Sequence, residues 1–312
     1  MGLVVYGDRQ RGNYMNRLDQ VSGMHYEGMC IRPPSEANSI LLQATVGCSH
    51  NKCTFCGSYK DKRFRIKDND VILSDILFAS RYMRNQERVF IMDGDALIIP
   101  YPRLMWVLER IREHLPWVRR VGLYANTKGI RMKGEEELIR LKEMGLGIIY
   151  MGIETGDDQT LKAVRKGADS QRALDMGKKV KGAGIRLSVT VLLGIAGRKR
   201  SLIHANATGK LLSAIDPDYV GALTLMVIPG TPLADDISAG RFELPDNLGL
   251  LMELREMIAS TDLTNGLFFS NHASNYLPVK ARLPEGKEQT LDLIDRALQG
   301  KVGLRPEWMR AL

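Results

Sequence analysis

Gly47-Cys48-Ser49-His50-Asn51-Lys52-Cys53-Thr54-Phe55-Cys56-Gly57 places three of the four cysteines of the chain within nine residues. Residues 40–46 before it (ILLQATV) read as a strand, and residues 70–83 after it read as a helix. A loop between a strand and a helix lies at the C-terminal edge of a parallel sheet, where α/β folds keep their chemistry. Three thiolates on one short loop, Cys48, Cys53 and Cys56, can face one [4Fe–4S] cube and leave its fourth iron open. Two other uses of the same residues are zinc with His50 as fourth ligand, and a Cys53–Cys56 redox pair. Structural zinc sites bring two separated ligand pairs, and a redox pair leaves Cys48 without a role.

Outward from this loop, short β-branched runs alternate with helical patterns. Strands are expected over residues 40–46, 88–92, 121–125, 147–153, 186–193 and 219–225. Few of these runs alternate strictly, as parallel strands covered on both faces should not. Helices are expected over 70–83, 102–115, 134–144, 171–180 and 201–215; Leu104, Val107, Leu108 and Ile111 make one apolar stripe. Six successive βα units give a parallel sheet, either a partial barrel or a doubly wound sheet. Residues 1–38 stand outside this pattern and read as an arm over the barrel, with loops at Gly12 to Arg17 and around Pro33-Pro34. Residues 39–232 form the core, and 233–312 an extension with helices near 247–260 and 287–298 and a strand at 267–269, placed to close the open side.

Composition sets bounds on function. Lys and Arg exceed Asp and Glu by eight, which favours an anionic partner such as a phosphorylated small molecule, nucleic acid or an acidic protein. The densest basic run is Lys60, Lys62, Arg63, Arg65 and Lys67, and no RNA-binding motif accompanies it. No basic leader with an apolar core opens the chain, and no apolar run nears the roughly 20 residues that span a bilayer, so a cytoplasmic, non-membrane protein is expected. Cys30 reads as a small buried residue, which leaves one cluster only.

The cysteine loop and the strand ends resemble the radical S-adenosylmethionine (SAM) superfamily from about Ile40 to Thr231. The resemblance implies a partial (β/α)6 barrel. It also implies that the open iron takes the amino and carboxylate groups of SAM, and that an electron cleaves SAM to methionine and a 5′-deoxyadenosyl radical that abstracts hydrogen from substrate. A low-potential donor of flavodoxin or ferredoxin type, and anaerobic handling, are implied with it. The spacing here is Cys-x4-Cys-x2-Cys, one residue longer than the usual family pattern. The core is similar to those of oxygen-independent coproporphyrinogen oxidases, methylthiotransferases and Elongator-type enzymes.

The same resemblance assigns cofactor contacts at successive strand ends. Phe55 lies beside the adenine. Asp93-Gly94-Asp95 stands where the family holds the SAM ammonium. Asn126 is a polar contact after the third strand, Glu154 faces the ribose hydroxyls, Arg165 pairs with the cofactor's carboxylate, and Gly194 with Ile195 flanks the adenine. Ser270-Asn271-His272-Ala273-Ser274-Asn275-Tyr276 follows the apolar run at 267–269 and is expected to face the barrel mouth, with His272 or Tyr276 handling a proton. The substrate itself is not specified. No Asp-x-His-x-x-Gly segment is present, which disfavours cobalamin-dependent methyl transfer. Two rivals remain: modification of tRNA by the same radical chemistry, and a non-catalytic iron–sulfur or zinc module that binds nucleic acid.

Overall fold

A computed structural model describes residues 23–311; the loop expected at Gly12 to Arg17 lies outside them. In chain order the elements are β1 (Ile40–Leu42), β2 (Thr45–Val46), β3 (Arg65–Ile66), α1 (Asn69–Tyr82), β4 (Arg88–Ile91), α2 (Tyr101–His114), β5 (Arg120–Ala125), α3 (Thr127–Arg131), α4 (Glu135–Glu143) and β6 (Leu146–Glu154). There follow α5 (Asp158–Ala163), α6 (Ser170–Gly182), β7 (Arg186–Leu193), α7 (Gly197–Ile215), β8 (Tyr219–Thr224), α8 (Pro232–Ser238), α9 (Asn247–Ala259), β9 (Gly266–Phe269), β10 (Lys280–Leu283) and α10 (Lys287–Leu298).

One eight-stranded sheet runs in the order β1-β4-β5-β6-β7-β8-β9-β10. Its first seven strands are parallel and β10 returns antiparallel to β9. The sheet stays open between β10 and β1, so the fold is a partial barrel with helices outside. The strand expected over 40–46 divides at Gln43. β1 joins the main sheet beside β4, whereas β2 pairs with β3 in a separate two-stranded ribbon. The cysteine loop is therefore an excursion pinched at its base by that ribbon.

Alternation along the strands sorts two cores. Val89, Ile91, Leu123, Ile149, Met151, Val189 and Val191 pack outward under the helices, where Leu104, Val107, Leu108 and Ile111 of α2 meet them. Phe90, Met92, Ile148 and Tyr150 point to the inner face, with Leu41, Tyr124 and Tyr219 beside them. Phe90, Tyr124 and Tyr150 stack edge to face, with ring centroids 5.0 Å (Phe90–Tyr124), 5.6 Å (Phe90–Tyr150) and 6.1 Å (Tyr124–Tyr150) apart. Tyr26 and Cys30, from the described part of the arm, pack on this face, and the Tyr26 hydroxyl donates to the Leu41 carbonyl at 2.9 Å. At the other end Glu36 is wholly buried, pairs with Arg120 and accepts the Tyr150 hydroxyl at 2.5 Å.

Helix starts follow the side chains at strand ends. Asn126 caps α3 by accepting from Gly129 N at 2.9 Å, and Asp157 caps α5 by accepting from Thr160 N at 3.1 Å. Each such cap contributes about 1 kcal/mol. Both stand within three residues of a strand's last residue, at the C-terminal edge of the sheet.

Candidate active site

Gly47 leaves the ribbon with φ +82°, a conformation open to glycine at little cost. Its N–H donates to Asp93 Oδ2 at 2.8 Å, and its carbonyl accepts from Gly94 N at 3.1 Å. A Cβ on Gly94 would sit 2.7 Å from Cys48 Cβ, so the turn after β4 lies directly against the first cysteine. Ser49 Oγ donates to Asp95 Oδ2 at 2.5 Å, and Asn126 closes the set: its backbone N–H donates to Asp95 Oδ1 at 3.1 Å, its Nδ2 to Ser49 Oγ at 3.1 Å. Burial pushes the Asp95 carboxyl up to about 6, against the bonds from Ser49 and Asn126. Asp93 has φ +73°, and burial also raises its carboxyl. Its Oδ1 is buried with no hydrogen-bond partner.

The far side of the loop is fixed to the turn after α5. Thr54 N donates to the Val164 carbonyl at 3.0 Å, and the Thr54 carbonyl accepts from Leu233 N at 3.1 Å. His50 donates from Nε2 to the Arg165 carbonyl at 2.7 Å, and its ring lies 2.5 Å from where a Gly167 Cβ would stand. Among the described residues no three His, Cys, Asp or Glu side chains close on one point as single-ion ligands would.

Cys48, Cys53 and Cys56 are half-buried and free of disulfides. Burial pushes the Cys53 thiol up to about 11, and the nearby Lys166 ammonium opposes it. Lys166 pairs with Glu154 at 2.6 Å. Burial alone would lower the Lys166 ammonium, but Glu154 and Cys53 outweigh it and hold the group above its ordinary value. Glu154 itself ends β6 with φ +66°. Of the two adjacent cations the sequence pointed to Arg165, whose backbone has φ +54° and whose side chain is exposed. The side chain that pairs with Glu154, and whose charge acts on Cys53, is Lys166. Nothing in the sequence separates the two, because the left-handed backbone at Arg165 decides which one turns inward.

At the end of β7, Gly194 has φ +84°, and Ile195 is buried in a small apolar cluster with Val164, Leu225 and Leu233 against which Phe55 packs. Gly194 N donates to Glu253 Oε1 at 2.5 Å. The same oxygen pairs with His204 Nε2 at 2.9 Å, His204 Nδ1 meets Thr155 Oγ1 at 2.7 Å, and Ser201 Oγ bonds the other Glu253 oxygen. One fully buried Glu–His pair thus ties the end of β6 to the end of β7. Sequence reasoning missed both residues.

His272 and Tyr276 lie in the loop after β9, at the same edge of the sheet. Thr224, the last residue of β8, donates from Oγ1 to Asn275 Oδ1 at 2.8 Å. His272 Nδ1 accepts from Ser274 N at 3.1 Å, and burial together with Arg305 lowers its imidazole. Arg305 Nη1 donates to the His272, Ala273 and Asn275 carbonyls at 2.8–2.9 Å. Tyr276 donates to Glu307 and lies under the Arg310 guanidinium, 4.2 Å from its ring centroid.

The description of the Radical SAM superfamily matches residues 42–203, just over half of the chain, and the chain belongs to that superfamily. Biotin synthase of Bordetella avium is 26% identical over 308 residues, covering 94% of this chain and 90% of that protein. A putative methylthiotransferase of Methanocaldococcus jannaschii is 24% identical, covering 86% of this chain but only 55% of its own length. Coproporphyrinogen III oxidase of Escherichia coli shares the fold with a TM-score of 0.53 at 15% identity, over 71% of this chain and 51% of that one. A radical SAM methyltransferase of Kitasatospora setae, solved with cobalamin and a [4Fe–4S] cluster, gives 0.53 at 15% identity over 93% of this chain and 60% of that one. The chain thus spans less than two thirds of several proteins it matches. Membership makes it an enzyme and implies a [4Fe–4S] cluster and SAM as cofactors. The residues present fit both: three unpaired thiols share one pinned loop, and an unpartnered carboxylate oxygen lies beside it. No helix among the described residues is long and apolar enough to cross a membrane.

Proposed function

We propose that this chain abstracts hydrogen from a small, anionic substrate, with Cys48, Cys53 and Cys56 as the cluster ligands. SAM would lie across Asp93 to Asp95, Asn126, Glu154 and Gly194 to Ile195, with Phe55 at its adenine. The observation that carries this reading is the buried Asp93 Oδ1, which lacks a partner in a turn touching Cys48. An orphaned buried acceptor is costly, and the cofactor's ammonium is a donor of the right charge for it. A cluster held by Cys48, Cys53 and Cys56, with SAM beside it, would supply 5′-deoxyadenosyl radical chemistry.

The protein's own residues then position and enclose. Glu154 offers acceptors to the ribose hydroxyls. Lys166 holds that carboxylate in place and, with Arg165 on the same turn, presents positive charge to the cofactor's carboxylate. Ile195, Val164 and Phe55 supply an apolar wall for the adenine. The substrate would lie on the inner face, between the rings of Tyr124 and Tyr150 and the half-buried Ser188 and Thr190. A reduced flavodoxin- or ferredoxin-type protein would supply the electron.

The test is anaerobic reconstitution with iron and sulfide, then dithionite and SAM, with 5′-deoxyadenosine as the product assayed. Formation by the wild type and its loss in Cys48→Ala, Cys53→Ala and Cys56→Ala is expected. Zinc bound at the loop with no [4Fe–4S] cluster formed would overturn the reading.

A further inference from the structure

Asp93 is held by one oxygen and free at the other. Gly47 N, at 2.8 Å, and Gln43 Nε2, at 3.1 Å, both donate to Oδ2, while the buried Oδ1 has no partner. The other carboxylate of the turn differs. Asp95 is engaged at both oxygens, Oδ2 by the Ser49 hydroxyl and Oδ1 by Asn126 N. The cations whose charge reaches Asp93 are Lys62 and Lys67, and each is turned to a carbonyl of the arm. Lys62 donates to Met29 O at 3.4 Å, and Lys67 donates to His25 O. Neither ammonium satisfies Oδ1.

Gln43 is wholly buried, in the gap between β1 and β2. Its Oε1 accepts from Glu27 N at 2.8 Å, and its Nε2 donates back to the Glu27 carbonyl at 3.2 Å. This exchange of two bonds with one main-chain residue copies a rung of an antiparallel ladder and fixes the plane of the amide. The remaining hydrogen of Nε2 then has a set direction, toward Asp93 Oδ2. Resting on the reading of Asp93 as the contact for the cofactor's amino group, we propose that Gln43 is a positioning residue for SAM. Pinned by the arm's main chain, it holds Asp93 by Oδ2 so that Oδ1 stays free and aimed at the cofactor. Filling space alone does not call for an amide here, because burying one costs free energy that its bonds only offset. What the amide adds is direction, and it adds it to the carboxylate of this turn that still has an open acceptor.

The experiment compares two probes on the reconstituted full chain: SAM, and 5′-methylthioadenosine, which keeps adenine and ribose but lacks the amino acid part. Equilibrium dialysis gives Kd for wild type, Gln43→Met, Asp93→Asn and the double variant. Gln43→Met should bind SAM about tenfold more weakly, as expected when a charge-assisted bond is loosened, and methylthioadenosine within about twofold of wild type. On the Asp93→Asn background, Gln43→Met should add less than about twofold, because the group it acts through is already altered. Gln43→Asn keeps an amide but draws it back by one methylene. It should lose SAM affinity selectively too, and it carries the test if Gln43→Met does not fold. Equal weakening of both probes by the Gln43 variants would mark a scaffold role and overturn the proposal. So would an undiminished effect of Gln43→Met on the Asp93→Asn background, or unchanged SAM affinity in the Gln43 variants where Asp93→Asn has lost it. Unchanged SAM affinity in Asp93→Asn is a separate failure: the Asp93 reading falls first, and the role of Gln43 with it.

Discussion

Replacing Glu253 by alanine removes both acceptor oxygens from a hub that solvent does not reach. Gly194 N, at 2.5 Å, and His204 Nε2, at 2.9 Å, lose their shared acceptor, while Ser201 can turn its hydroxyl elsewhere. Each orphaned buried donor costs about 1–3 kcal/mol, so Glu253→Ala should lower stability by about 4 kcal/mol. Glu253→Gln behaves differently. Its amide oxygen can accept from Gly194 N and His204 Nε2 together, and its amide nitrogen can donate to Ser201 Oγ. Only the charge-assisted part of the bonds is lost, about 1 kcal/mol. Gly194 and Thr155 follow the two strands that flank the proposed cofactor site, so loosening them should also weaken SAM binding. A tenfold rise in Kd, equal to about 1.4 kcal/mol, is expected for alanine, and less than about threefold for glutamine. Urea unfolding and equilibrium dialysis with SAM measure the two effects separately. Stability of the alanine variant within about 1 kcal/mol of wild type would refute the hub argument. A large stability loss with unchanged SAM affinity would leave the hub as scaffold only.

Two further outcomes follow from ion pairs near the site and on the arm. Lys166→Met strands the Glu154 carboxylate, whose side chain is 10% exposed, while the lysine's is 16% exposed. Thermal denaturation should show a loss of about 2–3 kcal/mol, recovered in part by adding Glu154→Gln. His25 is raised above 6.5, chiefly by its hydrogen bond to Asp75 at 2.7 Å and against burial. Its contribution is therefore complete below pH 6.5 and is lost as pH rises through the raised folded value. Amide exchange of residues 24–30, corrected for intrinsic rates, should quicken from about pH 6 to about pH 8.5, and His25→Gln should flatten that rise.

The sheet was largely legible because strands covered on both faces read as plain apolar runs. The strand expected over 219–225 is Tyr219–Thr224, and the helix expected over 247–260 is Asn247–Ala259. The break at Gln43 was not legible, since its cause is remote. The Gln43 amide donates to Asp93 Oδ2 at 3.1 Å and to the Glu27 carbonyl at 3.2 Å, and the chain turns out of the main sheet there. β10 escaped notice because four residues of alternating exposure carry too little pattern. Within the site, the three cysteines and the Asp93 to Asp95 turn were visible as local motifs. Lys166 was hidden by a backbone angle, and Glu253 by a separation of 59 residues from Gly194.

That last pair bears on where the enzyme's individuality resides. The family match ends at residue 203, yet the β7 end within it depends on Glu253 of α9. Parallel strands leave their C-terminal edge open, so the polar groups of each βα turn need partners from whatever covers that edge. Here the partners come from outside the matched segment: Glu253 for Gly194, Leu233 for Thr54, and the arm's Glu27, whose N–H donates to Gln43 Oε1 at 2.8 Å. The loop of His272 and Tyr276 is likewise fixed to Thr224 and held by Arg305 and Arg310, also beyond the match. A loop clamped from so many sides gives a fixed outline at the barrel mouth, and a fixed outline is what discriminates among substrates. On the proposed assignment, the cysteine loop and strand ends would set what chemistry is available, while residues after 203 and the arm would set which molecule can approach it.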